Sequence, residues 1–205
     1  DRHRGRDRVA VCGYHGWQDW YIGATTRSKG VPDAVGALTH KFPYNDLDAL
    51  KSLLETHAGE FAAVMMEPMN AEEPREGYLQ GVGDLAHEHG ALFILDEIIT
   101  GFRYHIGGAQ TLFDVVPDLA TFGKSMGNGF PISAVVGRAE YMAQMEEIFF
   151  SSTFGGEAVS IAATLATIRK MQREPVHAKL NETGERVIRM TRANLERHGL
   201  TDAIA

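Results

Sequence analysis

Two short apolar runs, each closing on an acidic residue, constrain the fold of this chain more than any other feature. They are FAAVMME at 61–67 and ALFILD at 91–96. Neither alternates polar with apolar, so neither suits a strand with one wet face. A short run that is apolar throughout fits a strand buried on both faces, as in a parallel sheet. Between them, residues 78–89 carry apolar side chains at helical spacing and end just before Gly90, a residue suited to a left-handed helix terminus. Strand, helix, strand in that order is the unit from which parallel sheets are built.

The same alternation extends along the chain. Arg8–Cys12 reads as a short strand followed by the loop GYHGW. Residues 45–57 form an amphipathic helix with Asn45 as its cap. Leu119–Phe122 and residues 132–136 are shorter strands on either side of a glycine-rich turn, and residues 156–171 and 177–198 are long helices. The expected fold is α/β: a mostly parallel sheet with helices on both faces, formed by residues 1–205 as a single unit. In such sheets ligands bind beyond the carboxyl ends of the strands. Glu67, Asp96 and the turn GKSMGNG at 123–129 all fall there, so one site can draw on all three.

The net charge of −7 argues against nucleic acid or an anionic membrane as the main partner. No apolar run reaches the length of a membrane span. One cysteine, Cys12, cannot form an internal disulfide, which points to a reducing compartment and a cytoplasmic location.

Gly123-Lys124-Ser125 imitates the end of a phosphate-binding loop, G-x-x-x-x-G-K-[ST]. That motif needs glycine at position 118, because backbone amides must wrap the phosphates, and position 118 is Asp. Its lysine should also open a helix, which Gly127, Gly129 and Pro131 oppose. The strand LFILDE has the look of a metal-binding strand of ATPases but precedes the lysine. A nucleotide- or metal-dependent hydrolase built on Glu67, Asp96, Glu97 and Lys124 is therefore a distant alternative. His87 and His89 tempt a metal reading, but ligands on a helix sit four apart, and two histidines near a helix end suit its dipole. No metal is expected. Arg103 in GFR is read as half of a structural salt bridge rather than as a carboxylate ligand.

The other chemistry open to Lys124 is nucleophilic. A lysine amine condenses with a carbonyl to form a Schiff base. Pyridoxal phosphate supplies that carbonyl and then acts as an electron sink. Its ring nitrogen must stay protonated, which a buried carboxylate such as Asp96 favours. Tyr14 offers a flat partner for the ring. Ser152 and Thr153, ahead of a helix, offer a hydroxyl and backbone amides for the phosphate.

Six segments resemble class III pyridoxal-phosphate-dependent aminotransferases of fold type I, most nearly the glutamate-1-semialdehyde 2,1-aminomutase-like branch. They are GYHGW at 13–17, YNDLDAL at 44–50, VMMEP at 64–68, LDEIITGFR at 95–103, PDLATFGKSMGNGFPISAVVG at 117–137 and SSTFGGEAVSIAA at 151–163. The resemblance implies that Lys124 forms the Schiff base and shuttles the proton, and that Asp96 pairs with the ring nitrogen. It implies Tyr14 on one ring face and Ile98 on the other, with His15 and Glu67 in the cofactor-binding set. Glu72 falls where relatives place a polar residue near the ring hydroxyl or the substrate carboxylate. Thr153 is expected to reach the cofactor phosphate of a neighbouring subunit, which implies a homodimer. The reaction implied is amino-group transfer from a small-molecule donor to a carbonyl acceptor, with the aminomutase as the alternative, because the residues after Pro68 depart from the aminomutase pattern. The resemblance also implies that the chain is the central part of a cofactor-binding large domain. The upstream phosphate loop and the C-terminal small domain are expected to lie outside it.

Overall fold

The structure is a computed structural model that describes residues 5–201. Six strands form one sheet in the order β2-β1-β3-β4-β5-β6. They are β1 (Arg8–Cys12), β2 (Thr39–Lys41), β3 (Phe61–Met66), β4 (Leu92–Glu97), β5 (Leu119–Phe122) and β6 (Ala134–Gly137). All neighbouring pairs are parallel except β5–β6, which is antiparallel and closes one edge. The mostly parallel sheet expected from the apolar runs is present, and β3 and β4 lie at its centre.

The pleat sorts the strand residues between two faces. Register pairs Ala10 with Val64 and Val64 with Phe93, and likewise Cys12 with Met66 and Met66 with Leu95. These six share one face and belong to the main core, which also takes Leu50 and Leu54 of α3 (Leu47–Thr56) and Leu79, Val82 and Ala86 of α4 (Tyr78–Glu88). Full burial of an aliphatic or aromatic side chain of this size contributes about 1.5–3 kcal/mol, so this face supplies much of what holds the central strands. Met65, Asp96 and Thr121 lie on the opposite face, where Asp96 is paired in register with Thr121.

Helix α3 starts one residue later than its sequence suggests. Asp46, not Asn45, is the cap, its carboxylate accepting from Ala49 N at 2.9 Å. Asn45 is in the left-handed region, and its side chain accepts from Arg75 N at 2.9 Å and donates to Glu73 O at 3.2 Å. It fastens a distant loop instead of a helix. The remaining helices are α1 (Asp19–Ile22), α2 (Asp33–Gly36), α5 (Ala109–Leu112), α6 (Ala139–Met142), α7 (Ala158–Arg173) and α8 (Val176–Arg197).

Asp118 explains why position 118 is not glycine. It is buried at the amino end of β5, where its Oδ2 accepts from Phe93 N at 2.8 Å and from His87 Nε2 at 2.7 Å. Arg138 Nε lies 3.3 Å from its other oxygen. His87, read from the sequence as a partner of the helix dipole, is engaged by this carboxylate.

Candidate active site

Four strands end at one place. The loop after β1 carries Tyr14 and His15, Glu67 follows β3, Asp96 lies at the end of β4, and Lys124 follows β5. The chain leaves β1 toward β2 on one side, and β3 begins on the other. The crevice between the loops after β1 and β3 is therefore where an open α/β sheet makes room for a ligand. A cavity of about 580 Å³ lies here, lined by Tyr14, His15, Glu67, Asp96, Ile98 and Lys124 among others.

Asp96 and Glu97 are adjacent, so the pleat sends them to opposite faces. Asp96 faces the cavity side and is only 6% exposed. Its Oδ1 accepts from Ile98 N at 3.1 Å and from Thr121 Oγ1 at 3.2 Å, and its Oδ2 lies 2.7 Å from His15 Nδ1. A carboxylate only accepts, so the imidazole donates there. The His15 side chain is fully buried, and its Nε2 has no hydrogen-bond partner among the described residues. The imidazole ring stacks against Trp20, with centroids 6.4 Å apart and planes 14° from parallel.

Glu97 belongs to the scaffold. It is fully buried and accepts from Thr100 Oγ1 at 2.5 Å, Ala109 N at 2.9 Å and Gln110 N at 2.7 Å. Its absence from the cavity wall removes one member of the hydrolase constellation. Among the described residues, no three His, Cys, Asp or Glu side chains are grouped so as to hold a metal ion.

Glu67 is buried at the cavity wall and its Oε2 accepts from Tyr14 N at 3.1 Å. Burial pushes its carboxyl above the ordinary 4.5, and the Asp96 charge adds to this. The Tyr14 amide and the charges of His15 and Lys124 pull the other way. Gly13 makes the contact possible. Its φ is +110°, and a Cβ there would lie 2.5 Å from Glu67 Oε2. The Tyr14 ring is 57% exposed and borders the cavity.

Lys124 opens a single turn of 3-10 helix, Lys124–Met126, with φ +40°. A non-glycine residue held in that region costs about 1–3 kcal/mol and is concentrated at functional sites. Its Nζ has no hydrogen-bond or ion-pair partner among the described residues. Ile98 lies directly against the turn, its Cδ1 3.0 Å from where a Cβ on Gly123 would stand.

Two expected site residues do not join this group. Glu72 and Thr153 are exposed and outside the cavity wall. The reading of the helix after Thr153 as a phosphate seat also needs correction. The carboxylate of Glu157 already accepts from Val159 N and Ser160 N, both at 2.7 Å, which closes the first amides of α7. Those bonds hold the Glu157 carboxyl below its ordinary value. Thr121 and Trp20 were missed in the sequence. The first is placed by strand register and the second by ring stacking, and neither leaves a motif.

The chain matches the aminotransferase class-III family over residues 4–202. It is 40% identical over 181 residues to 3-aminobutyryl-CoA aminotransferase of Cloacimonas acidaminovorans, covering 85% of this chain and 43% of that protein. It is 40% identical over 201 residues to glutamate-1-semialdehyde 2,1-aminomutase of Halobacterium salinarum, covering 90% and 45%. The chain thus spans a little under half the length of these relatives. Among solved structures it superposes on the FumI protein of Sphingopyxis sp. MTA144, described as the PLP internal aldimine form. The TM-score is 0.88 and the identity 28%, over 96% of this chain and 49% of that one. An omega-transaminase from Sphaerobacter thermophilus gives a TM-score of 0.74 and 31% identity, over 82% and 44%. With the sheet order, the strand-end site and an unpartnered lysine already in view, these matches assign the fold and its lineage together: the chain belongs to the class-III aminotransferase family.

Proposed function

We propose that this chain is the central part of a pyridoxal-phosphate-dependent enzyme that transfers an amino group from a small-molecule donor to a carbonyl acceptor. The observation that carries the proposal is Lys124, an amine without a hydrogen-bond or ion-pair partner among the described residues, in a strained turn lining the same cavity as a buried carboxylate. The residues present fit the cofactor. Asp96 supplies a fixed negative charge for a ring nitrogen, Tyr14 and Ile98 supply two flanking surfaces, and Lys124 supplies the amine. When bound, pyridoxal phosphate supplies a carbonyl that condenses with amines and a ring that accepts an electron pair from carbon.

Each protein group then has a separable task. The Asp96 carboxylate, held by Ile98 N, Thr121 Oγ1 and His15, would favour the protonated form of the cofactor's ring nitrogen. His15 fixes the carboxylate's orientation. Glu67 ties the loop after β1 to the end of β3 through the Tyr14 amide, which sets the height of the Tyr14 ring. Lys124 would supply the amine that holds the cofactor's carbonyl carbon, and the same amine would take a proton from a substrate carbon and return it. Relatives of both kinds, an aminotransferase and an aminomutase, match the chain, and the two-molecule transfer is the reading put first here. The one-molecule rearrangement is the second.

The functional unit is a homodimer. Thr153 lies outside its own cavity, in a stretch where Phe149, Phe150 and Phe154 are 96%, 70% and 70% exposed, an apolar surface suited to a second subunit. Thr153 then contributes its hydroxyl to the partner's cofactor phosphate. The buried, unpaired Cys12 supports a cytoplasmic setting, and no described helix is long and apolar enough to cross a membrane.

Reduction with borohydride in the presence of pyridoxal phosphate, followed by peptide mapping, tests the assignment. A phosphopyridoxyl group confined to Lys124 is expected. Labelling of other lysines with Lys124 unmodified, or full turnover by Lys124→Ala in the complete enzyme, overturns it.

A further inference from the structure

The edge strand β2 is fastened to the sheet through one arginine. Arg8, at the start of β1, donates from Nε to Glu60 Oε2 at 2.6 Å and from Nη1 to the carbonyl of Ala37 at 3.0 Å. The same Nη1 lies 2.6 Å from Nε2 of His40 on β2. A guanidinium only donates, so His40 Nε2 is the acceptor and carries no proton. The His40 ring also packs against His57, the residue that ends α3, with centroids 4.8 Å apart, and against Phe61 at 5.5 Å. His57 Nδ1 is 4.0 Å from Glu60 Oε2. Among the described residues, the charged and titratable groups acting on His40 are therefore Arg8 from β1, His57 from the end of α3 and Glu60 from the turn before β3. Its neighbour Lys41 stands over the Tyr21 ring instead, at 5.8 Å.

Burial and the charges of Arg8 and His57 hold the His40 imidazole below its ordinary 6.5, while the Ala37 carbonyl and Glu60 pull the other way. Arg8 holds the Glu60 carboxyl below its ordinary value, so that acid stays ionised where the histidines titrate. Protonating His40 sets one N–H against another at the Arg8 contact. Once His57 is protonated as well, three cations surround a single carboxylate. Little else holds β2, which has three residues and pairs with β1 alone. We propose that Arg8, His40 and His57 form an acid-sensitive latch: protonation of His40 breaks its contact with Arg8 and frees β2 from β1, while the central strands stay paired. The fastened strand binds fewer protons than the freed one. Fastening is therefore complete above pH 6.5 and is lost as pH falls from there through the lower folded value. The freed strand carries Thr39, whose hydroxyl donates to Trp20 O at 2.6 Å, and Trp20 stacks on His15, the partner of Asp96. Acid thus loosens a support behind the candidate site. The inference stands on the edge of the sheet and does not depend on the amino-transfer reading.

The test is native-state hydrogen exchange of the complete protein between about pH 8 and pH 5, corrected for the intrinsic pH dependence of exchange. Wild type, His40→Gln and His57→Gln are compared. In wild type, protection of residues 39–42, including the Phe42 amide that donates to Val11 O, should fall as pH drops below 6.5. A fall of roughly tenfold or more is expected, the loss of one hydrogen bond from a charged donor. Protection of β3 and β4 should not change with it. His40→Gln keeps an acceptor for Arg8 that cannot be protonated, so its protection at 39–42 should be flat with pH. His57→Gln removes a charge that holds His40 down, so the loss should set in at higher pH. Flat protection in wild type, or the same fall in His40→Gln, would overturn the proposal. A parallel loss across β3 and β4 would show global acid unfolding in place of a latch and overturn it too. If His40→Gln does not fold, the His57→Gln comparison decides: an unmoved onset there removes the cluster as the cause.

Discussion

Replacing Gly13 by alanine probes the link between the sheet and the site at one atom. The backbone there has φ +110°, and the new methyl carbon would lie 2.5 Å from Glu67 Oε2, where ordinary contact begins at 3.4 Å. Two costs follow. Holding a residue with a Cβ in that backbone region costs about 1–3 kcal/mol. The Glu67 carboxylate must also withdraw by nearly an ångström, which breaks its bond from Tyr14 N and costs about 1–3 kcal/mol for a buried charged acceptor. Gly13→Ala should therefore lose about 2–6 kcal/mol, measured by urea unfolding with linear extrapolation. A double-mutant cycle separates the two parts. Glu67→Ala removes the atom that clashes and leaves the backbone strain, so Gly13→Ala/Glu67→Ala should be less destabilised than the sum of the single variants by about 1–3 kcal/mol. Strict additivity would show that the Cβ meets no obstacle at Glu67. A cost below about 0.5 kcal/mol for Gly13→Ala would refute the geometry of the loop itself.

Other outcomes follow from the same structure. Burial raises the folded-state pKa of Glu67 above 4.5, so the native protein binds the extra proton and its stability falls as pH rises from 4.5 through the folded value. Glu67→Gln should flatten that slope in acid titrations followed by circular dichroism, and an unchanged slope would remove Glu67 as its source. Burial, assisted by the Glu67 charge, pushes the Cys12 thiol up to about 11, so a thiol-reactive disulfide reagent near neutral pH should leave it untouched until the protein unfolds. Rapid modification of the native chain would contradict this. Asp118→Ala leaves Phe93 N, a buried donor, without its partner and frees both His87 and Arg138. A loss of about 1–3 kcal/mol in urea unfolding is expected, and wild-type stability would show that the clamp at the strand ends carries no weight.

What was legible in the sequence was set by local chemistry. Strands β3 and β4 are apolar on both faces, so their composition alone separates them from amphipathic helices. The acids at their ends mark the carboxyl edge of the sheet, and with the glycine-rich turn they pointed to the candidate site. What was not legible depends on pairing between distant segments. Asn45 and Asp46 are equally good caps in isolation; only the loop at Glu73–Arg75 decides that Asn45 is used elsewhere. Thr121 reaches Asp96 because β5 is in that register and no other. Arg103 looked like a salt-bridge residue because an exposed arginine in an acidic chain commonly finds a carboxylate, and among the described residues it has no ion-pair partner. The seat expected at α7 failed because Glu157, four residues past Thr153, turns its carboxylate back onto the helix it precedes.

The neighbouring acids of β4 carry a consequence for how such a chain can vary in length. Asp96 serves the ligand side and Glu97 the scaffold side, and only the parity of the strand assigns them. A single residue inserted between Leu92 and Asp96 would exchange the two sides. It would bury the shorter acid where Glu97 now holds Ala109 and Gln110, and send the longer one into the cavity. Substitutions in this strand can be judged one at a time, but a change of length disables scaffold and site together. A change of length is therefore borne only by the connecting loops if the site is to survive, and β4 acts as the fixed ruler from which the positions of the surrounding loops are measured.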